Sequence, residues 1–483
     1  SDHKSELHKY YSFLEKSGTN KETLTVYWYW NPYISDEEDN KYVNKTFSAT
    51  INVNAVQVSE YATMKNRYSS TNGGTEFWNN TYKPYVRTIT FDNNLSNLPS
   101  TCNEENLCWD ISESTTQKKK VYGYLVDSGL TIEETDSSTS TAVNKSLYNL
   151  YIVSEAQIFA PNDCRGIFSF YKYENSKYIS NLISINFNNN FNTSKVTNMN
   201  NMFRYCLSLT KLDLSNFNTT NVINMYGMFH SCSSLTSLDL SSFNTINLSD
   251  LSYMFYECSS LTNLDLSNFN TAKVTNMDAM FYKCSSLKKI DLSNFNTAKV
   301  NSMISMFLNC KSLTTLDLSN FNTSKVTNMS LMFYDCLSLT NLDLSNFNTL
   351  NATDMKRMFA YCSSLTSLDL SSFNTSNVTN MGGMFYCCSS LEKLNLSNFN
   401  TSKVEFYSKY TYGIFRDCTK LQTEITIMNP NVTEENYKNM FLNAATDPNA
   451  KIIVNYTSET ETLVDNMIKT KSPNSNVVKG ILK

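Results

Sequence analysis

The chain has 483 residues, of which 41% are hydrophobic, and carries a formal net charge of −4 at pH 7. This length predicts roughly one to three domains, and the small net charge argues against nucleic acid or an anionic membrane surface as a partner. No apolar run reaches the ~18 residues of a membrane-spanning helix, so no transmembrane segment is expected. The chain starts at Ser1-Asp2-His3-Lys4, and we expect a mature or trimmed chain without a signal peptide.

Residues 1–60 predict a helix followed by a small β-rich module. Leu7, Tyr10 and Leu14 recur at helical spacing, which favours a short amphipathic helix. The stretches 23–30 and 47–55 then alternate apolar and polar side chains, as half-buried strands do.

Residues 61–185 are less regular and predict a β-rich N-terminal cap region. Residues 86–91, 120–125 and 147–153 read as strands separated by polar loops. Because the first unit of a stacked repeat array would otherwise expose apolar side chains and unpaired strand groups, an atypical end cap is expected there.

Residues 186–427 contain a repeat of 26 residues. The period is set by an apolar column and by a cysteine column. The apolar column comprises Leu212, Leu238, Leu264, Ile290, Leu316, Leu342, Leu368 and Leu394. The cysteine column comprises Cys206, Cys232, Cys258, Cys284, Cys310, Cys336, Cys362 and Cys388. A matched period of this length predicts a solenoid, in which each unit buries its apolar face against its neighbours.

Within each repeat, the sequence predicts a strand, a turn and a short helix. Leu212 and Leu214 lie two residues apart and share one face of a strand, whereas Asp213 points to the other face. The apolar residues from Val222 to Cys232 recur at spacings of three and four, which favours a helix of two to three turns. Asn224 is its predicted N-cap.

One repeat reads Leu316-Asp-Leu-Ser-Asn-Phe-Asn-Thr-Ser-Lys-Val-Thr-Asn-Met-Ser-Leu-Met-Phe-Tyr-Asp-Cys-Leu-Ser-Leu339. This motif resembles a subgroup of the BspA-like leucine-rich-repeat family of bacterial surface proteins. The resemblance covers about half of the chain and implies an α/β solenoid, with a parallel sheet on the concave face and short helices on the convex face. It also implies a protein of the bacterial surface that acts in adhesion.

Residues 428–483 predict an α/β C-terminal cap that closes the edge of the sheet. Residues 432–445 and 457–471 are predicted to be helical, and residues 451–456 and 474–482 are predicted to form strands. Residues 455–459 and 474–479 also look like the C-terminal cap of close relatives of the repeat family.

A column of aspartates on the strand face is the leading candidate ligand-binding site. Its members are Asp213, Asp239, Asp265, Asp291, Asp317, Asp343 and Asp369. Adjacent carboxylates ~5 Å apart repel each other by about 1 kcal/mol in water, so something must offset the repulsion. The alternatives are a solvated polar ladder supported by neighbouring hydroxyls, Lys289 or Lys393; a ligand-binding surface; and a row of Ca²⁺ ions, which prefer oxygen ligands.

The cysteine column lacks the paired spacing of zinc sites, and it lies on the apolar stripe beside Phe and Met residues. Buried reduced thiols are therefore predicted, rather than a metal site or disulfides. Cys102 and Cys108 bracket a polar loop instead, and in an extracellular protein they either form a local disulfide or remain free.

No catalytic constellation is apparent, because the three histidines, His3, His8 and His230, are scattered along the sequence. We therefore expect a non-enzyme without a resident metal. The function expected is that of a secreted or cell-surface bacterial binding protein, which uses its concave face to recognise a protein or glycan of a host or neighbouring cell. The alternative is a structural spacer that displays another module.

Overall fold

The computed structural model describes residues 61–66, 81–135, 140–174, 176–406 and 413–483. All of them belong to one compact unit of the chain, Ser59–Lys483. The helix and β module predicted for residues 1–60 lie outside the described residues.

Among the described residues, ten strands precede the regular repeats. They are β1 (Ala62–Thr63), β2 (Val86–Asp92), β3 (Cys108–Asp110), β4 (Tyr122–Thr135), β5 (Ala142–Val153), β6 (Ile158–Phe159), β7 (Lys172–Glu174), β8 (Lys177–Ile179), β9 (Ser184–Asn186) and β10 (Phe191–Asn192). Two short 3₁₀ helices lie between them, at Lys83–Tyr85 and Glu104–Asn106.

Eight further strands and two α-helices follow. The strands are β11 (Lys211–Leu212), β12 (Asn263–Asp265), β13 (Lys289–Asp291), β14 (Ser367–Asp369), β15 (Lys393–Asn395), β16 (Gln422–Ile427), β17 (Lys451–Tyr456) and β18 (Val477–Leu482). The helices are α1 (Glu434–Tyr437) and α2 (Glu461–Lys469).

The N-terminal part of this unit joins the repeats through a shared sheet. Its strand order is β11-β9-β2-β5-β4-β3. Strand β2 pairs in parallel with β9, and β9 pairs in parallel with β11 of the first regular repeat. The long β4–β5 hairpin is antiparallel. The three strands predicted from the sequence of this region overlap β2, β4 and β5.

On the strand side of the repeats, equivalent residues lie side by side. In the β12–β13 pair, Leu264 is opposite Ile290 and Asp265 is opposite Asp291. Leu264 is buried and both aspartates are exposed, because successive side chains of a strand point to opposite faces. The offset between partners equals the 26-residue period of the sequence.

A stack of buried phenylalanine rings runs through the core. Successive ring centroids lie 5.5–6.3 Å apart, and the ring planes are within 16° of parallel. The stack comprises Phe168, Phe203, Phe229, Phe255, Phe281, Phe307, Phe333, Phe359, Phe385, Phe415 and Phe441. Burial of such large apolar side chains against their counterparts is the main force that joins neighbouring repeats.

A column of buried threonines ties each repeat to the next. Its members are Thr193, Thr219, Thr245, Thr271, Thr297, Thr323, Thr349, Thr375 and Thr401, each at most 1% exposed. Thr297 Oγ1 donates to the carbonyl oxygen of Asn322 at 2.9 Å and accepts from the Asn322 amide at 2.7 Å. One hydroxyl thus satisfies a backbone donor and a backbone acceptor of the following repeat.

The helix predicted after each turn is wrong. Residues 222–232 form a series of turns, with left-handed backbone at Gly227 (φ 55°) and Ser231 (φ 58°). The same two positions are left-handed in the following repeats, mostly without glycine: Tyr253 and Glu257, Ala279 and Lys283, Ser305 and Asn309, Leu331 and Asp335, Arg357 and Tyr361, and Gly383 and Cys387. Nor is Asn224 a helix cap, since its side chain accepts from the Tyr226 amide at 2.8 Å in a local turn.

Hydrogen bonding between repeats explains why turns replace the helix. The Phe203 amide donates to the Met228 carbonyl at 2.9 Å, and the Tyr205 amide donates to the His230 carbonyl at 2.8 Å. Alternate amides of this segment therefore bond to the next repeat, whereas an α-helix would use them within the repeat. Both the observed turns and an α-helix bury apolar residues at spacings of three and four. We call this part of each repeat the turn side.

The C-terminal segment extends the same parallel sheet, in the order β14-β15-β16-β17-β18. Strand β17 has the bounds predicted from the sequence, and α2 and β18 lie within the predicted segments. The helix predicted for residues 432–445 is wrong beyond the single turn of α1. Residues after α1 continue the turn side instead, because Phe415 and Asp417 donate their amides to the carbonyls of Met440 and Leu442.

Taken together, the described residues form a repetitive, strand-rich domain with parallel sheets, a periodic stack of buried Phe rings and few helices.

Candidate functional site

The aspartate column lies on the strand side, where each member accepts a hydrogen bond in a tight turn. Asp291 Oδ1 accepts from the Ser293 amide at 2.9 Å. The same 2.9 Å bond from the serine two residues on recurs at Asp213, Asp239, Asp265, Asp317, Asp343 and Asp369. Asn395 makes the equivalent bond to Ser397 at 3.1 Å, so the turn needs a side-chain oxygen but not a charge.

These hydrogen bonds also offset the electrostatic repulsion between neighbouring carboxylates of the column. The Ser215 amide and hydroxyl lower the pKa of Asp213, and the corresponding serine lowers the pKa of each other aspartate in the column. For Asp291 the cause is Ser293 rather than Lys289. The exposed carboxylates are therefore ionised at neutral pH, and the amides and hydroxyls of the serines, rather than lysines, offset the repulsion.

Two shallow clefts open on this strand side. The larger, of about 720 Å³, lies towards the C-terminal end and is lined by residues that include Asp369, Lys393, Asn395, Glu424 and Lys451. The other, of about 390 Å³, is lined by residues that include Asp239, Asp265 and Asn268. Column members therefore border both clefts.

Metal binding was one alternative for the column. Within the described parts of the chain, no group of three or more His, Cys, Asp or Glu side chains is arranged to hold a metal ion. The column supplies one carboxylate per repeat, and each is engaged in its own turn.

The cysteine column is confirmed as a set of free, buried thiols. Each thiol of the column, and that of Cys418, donates to the carbonyl of a phenylalanine in the preceding repeat, at 2.9–3.2 Å. Burial raises the pKa of Cys284 and Cys362 to about 12, which disfavours the thiolate that metal binding or disulfide exchange requires.

Cys102 and Cys108 are joined by a disulfide, with their Cα atoms 4.7 Å apart. The bridge closes the polar loop that contains the second 3₁₀ helix. It packs with the buried Tyr124 and Val153 in a small cluster separate from the main core.

Sequence reasoning missed a second candidate site, a groove on the turn side. Two neighbouring clefts, of about 480 and 460 Å³, share Leu207, Ser231 and Glu257 in their linings. We call them together the tyrosine groove. The first cleft is also lined by Lys177, Tyr178, Tyr205, His230 and Tyr256. The second is also lined by Ser233, Ser259, Lys283, Ser285, Asn309 and Lys311.

Within this groove, a histidine, a serine and a glutamate form a hydrogen-bonded chain. His230 Nδ1 lies 2.9 Å from Ser231 Oγ, and Ser231 Oγ donates to Glu257 Oε2 at 3.0 Å. Burial lowers the pKa of His230 to about 4, so the imidazole is neutral at neutral pH. The serine proton points to the carboxylate rather than to the histidine, which is not the arrangement that activates a serine nucleophile.

The columns and sheets define the class of this molecule as a tandem-repeat, strand-rich protein. The chain matches the family described as "Mycoplasma protein of unknown function, DUF285" over residues 167–290, 260–367 and 337–456. These three tandem matches together span more than half of the chain, which therefore belongs to that family. No curated protein matches the chain, and neither does any solved structure. As for membrane crossing, the described residues contain no helix of sufficient length and hydrophobicity.

Proposed function

We propose that this protein is a secreted or cell-surface bacterial binding protein, similar to an adhesin, that recognises a protein or glycan of a host or neighbouring cell through the strand side of its repeats. No catalytic step is part of the proposal. The observation that carries it is the aspartate column, a registered row of exposed and ionised carboxylates on a scaffold fixed by buried columns. Such a row favours a ligand with several cationic or hydrogen-bond-donating groups.

We propose further that the repeats form a leucine-rich-repeat-like solenoid of the BspA-like subgroup, with the strand side concave. Equivalent residues pair across a constant 26-residue offset. The Thr column and the turn-side amides bond each repeat to the next. These features support an extended array of stacked units, in which long surfaces are available for recognition.

The test replaces Asp265, Asp291 and Asp317 together with asparagine and measures binding to immobilised host extracellular matrix. Asn395 occupies the same turn in this chain, so the substitutions remove charge while retaining the fold. We expect binding to weaken by about tenfold or more, and its dependence on salt to decrease.

The matched control is a triple variant, Glu105→Gln, Glu133→Gln and Glu459→Gln, which removes three exposed charges elsewhere. Its binding should equal that of the unmodified protein. If the aspartate variant binds as tightly as the unmodified protein, the strand side is not the recognition surface.

The second candidate is a structural spacer, and the observation that favours it is the turn made by each aspartate. Because every column member has a local structural partner, the row is explained without any ligand. A spacer predicts that removal of residues 1–60 abolishes binding while the aspartate variant binds normally.

A further inference from the structure

The tyrosine groove crosses several consecutive repeats on the turn side, away from the aspartate column. Its two clefts are continuous at Ser231 and Glu257, which lie at equivalent positions in successive repeats. The volumes of the two clefts, about 480 and 460 Å³, lie within the range of ligand-binding clefts.

One wall of the groove is aromatic. Tyr178 stacks on Tyr205 with ring centroids 3.6 Å apart, and His230 stacks on Tyr256 at 4.4 Å. Tyr178 comes from the β7–β8 hairpin, whereas the other three rings come from the repeats. Stacking against neighbours holds the four rings in place.

The rest of the lining is polar and already organised. Glu257 accepts from Ser231 at 3.0 Å and from the Lys283 ammonium at 2.7 Å. The side chains of Glu257 and Lys283 remain 34% and 44% exposed, so they face the groove while holding each other in place. Carboxylate, ammonium and serine hydroxyls thus provide hydrogen-bond donors and acceptors side by side.

The repeats themselves show that the scaffold does not require this chemistry. The position of His230, Tyr256 and Tyr282 holds Leu308 and Ala360 in two later repeats, and tyrosine again in two others, Tyr334 and Tyr386. The position of Glu257 is occupied by Asn309. What sets this end of the array apart is the β7–β8 hairpin, whose Tyr178 stacks on Tyr205 beside His230.

Backbone pairing cannot supply recognition in this groove. The amides of Tyr205, Ser231 and Glu257 donate to the carbonyls of the following repeat at 2.6–2.8 Å. An extended peptide therefore finds no free strand edge to extend. Binding must use side chains. Of the charged groups in the lining, Glu257 pairs with Lys283 and Lys311 pairs with Asp335, so most of the charge is offset within the protein, and Lys177 is the remaining cation of the lining.

We propose that the tyrosine groove is a binding site for a neutral oligosaccharide. Vicinal hydroxyls of a sugar match the adjacent carboxylate, ammonium and serine groups, and the C–H surfaces of its ring match the tyrosine wall. The array of repeats places equivalent groups along the groove, which suits a ligand that is itself a chain of similar units. This site is independent of the strand side proposed above.

The experiment screens the full chain on an array of neutral tri- to hexasaccharides, including fragments of chitin, cellulose and galactan, and then measures Kd by calorimetry for the sugars that bind. Tyr256→Leu and Glu257→Asn adopt residues that occur at the same positions in other repeats, so the fold should be retained. We expect each to weaken binding by about tenfold.

Matched controls are Tyr334→Leu, which makes the same change as Tyr256→Leu, and Asp417→Asn, which also replaces a carboxylate by asparagine. Both positions are equivalent ones outside the groove, and both variants should bind as the unmodified chain does. The strand-side aspartate variant should also keep its sugar binding, which separates this proposal from the previous one. Absence of any bound neutral sugar at millimolar concentration, or undiminished binding by both groove variants, overturns it.

Discussion

The strand side and the turn side of the repeats carry the same period in different ways. On the strand side, regular pairing is limited to segments of two or three residues, and the exposed positions hold the aspartate column. On the turn side, alternate amides of every repeat bond to the next one, and the stacked Phe rings and buried thiols lie beneath them. Continuity between repeats thus depends chiefly on the turn side.

This difference shows how a repeat can hold its neighbours without helices. An α-helix satisfies its own amides and contacts the next unit through side chains only. The turns found here satisfy those amides across the repeat boundary instead. Left-handed backbone at two positions per repeat is the cost, roughly 1–2 kcal/mol for each residue other than glycine.

Removal of a hydroxyl from the threonine column should have the largest effect on stability. This column lies between the strand side and the turn side, and its hydrogen bonds join each repeat to the next. Thr297→Val preserves shape but leaves the Asn322 amide and carbonyl without their partner. We expect unfolding of the surrounding repeats to become easier by about 1–3 kcal/mol, measured by local amide hydrogen exchange.

Thr297→Ser is the control for this change, since it keeps the hydroxyl and should retain most of the stability. If the valine variant is as stable as the parent, the hydrogen bonds of the Thr column contribute nothing to the cohesion between repeats.

One glycine substitution should change the stability in opposite directions in the observed turns and in the predicted helix. Gly227 has φ +55°, so Gly227→Ala should destabilise the protein by about 1–2 kcal/mol. In a helix interior the same change would stabilise it by about 1 kcal/mol. Chemical denaturation gives the sign directly.

Ala279 provides the reverse substitution at the same position of another repeat, with φ 51°. Ala279→Gly relieves the left-handed strain but loses a buried methyl group, so a change close to zero is expected. A clear loss of stability in Ala279→Gly, together with a gain in Gly227→Ala, would contradict the observed turns and support the α-helix predicted from the sequence.

The sequence predicted which residues share a column but not how the chain connects them. Alternation at Leu212, Asp213 and Leu214 indicated both faces of the strand, and the cysteines were expected to be buried thiols. The spacing from Val222 to Cys232 misled because turns and helices bury the same positions. A signal was present in Gly227 and Gly383, since glycine is unfavourable inside a helix.

The two candidate sites differed in the same way. The aspartate column repeats at every period and was therefore visible in the sequence. The tyrosine groove was not, because it combines the β7–β8 hairpin with positions that vary between repeats, such as His230 and Tyr256. Sequence periodicity emphasises what repeats share, whereas a local binding site depends on how they differ. Only the three-dimensional stacking brings those positions together.

The smallest effect is expected on the strand side, in the pH dependence of stability. Hydrogen bonds from serine lower the pKa of Asp265, Asp291 and Asp317 in the folded protein. A lowered folded-state pKa adds stability above the unfolded value of about 3.9, and this stability is lost as pH falls through the folded pKa. The triple asparagine variant should therefore be slightly less stable than the parent at pH 7 and should lose less stability on acidification.

Thermal unfolding of the parent and the triple asparagine variant at pH 7 and at pH 3 measures this difference, with the triple glutamine variant as control. The exposed glutamates of the control make no such turn, so its acid response should follow that of the parent. If all three proteins lose the same stability on acidification, the ionised carboxylates of the column do not contribute to the stability of the turns. If the difference in stability between the parent and the asparagine variant is smaller at pH 3 than at pH 7, the ionised aspartates of the parent stabilise the turns. Protonation of these aspartates at low pH removes the stability that their ionisation adds.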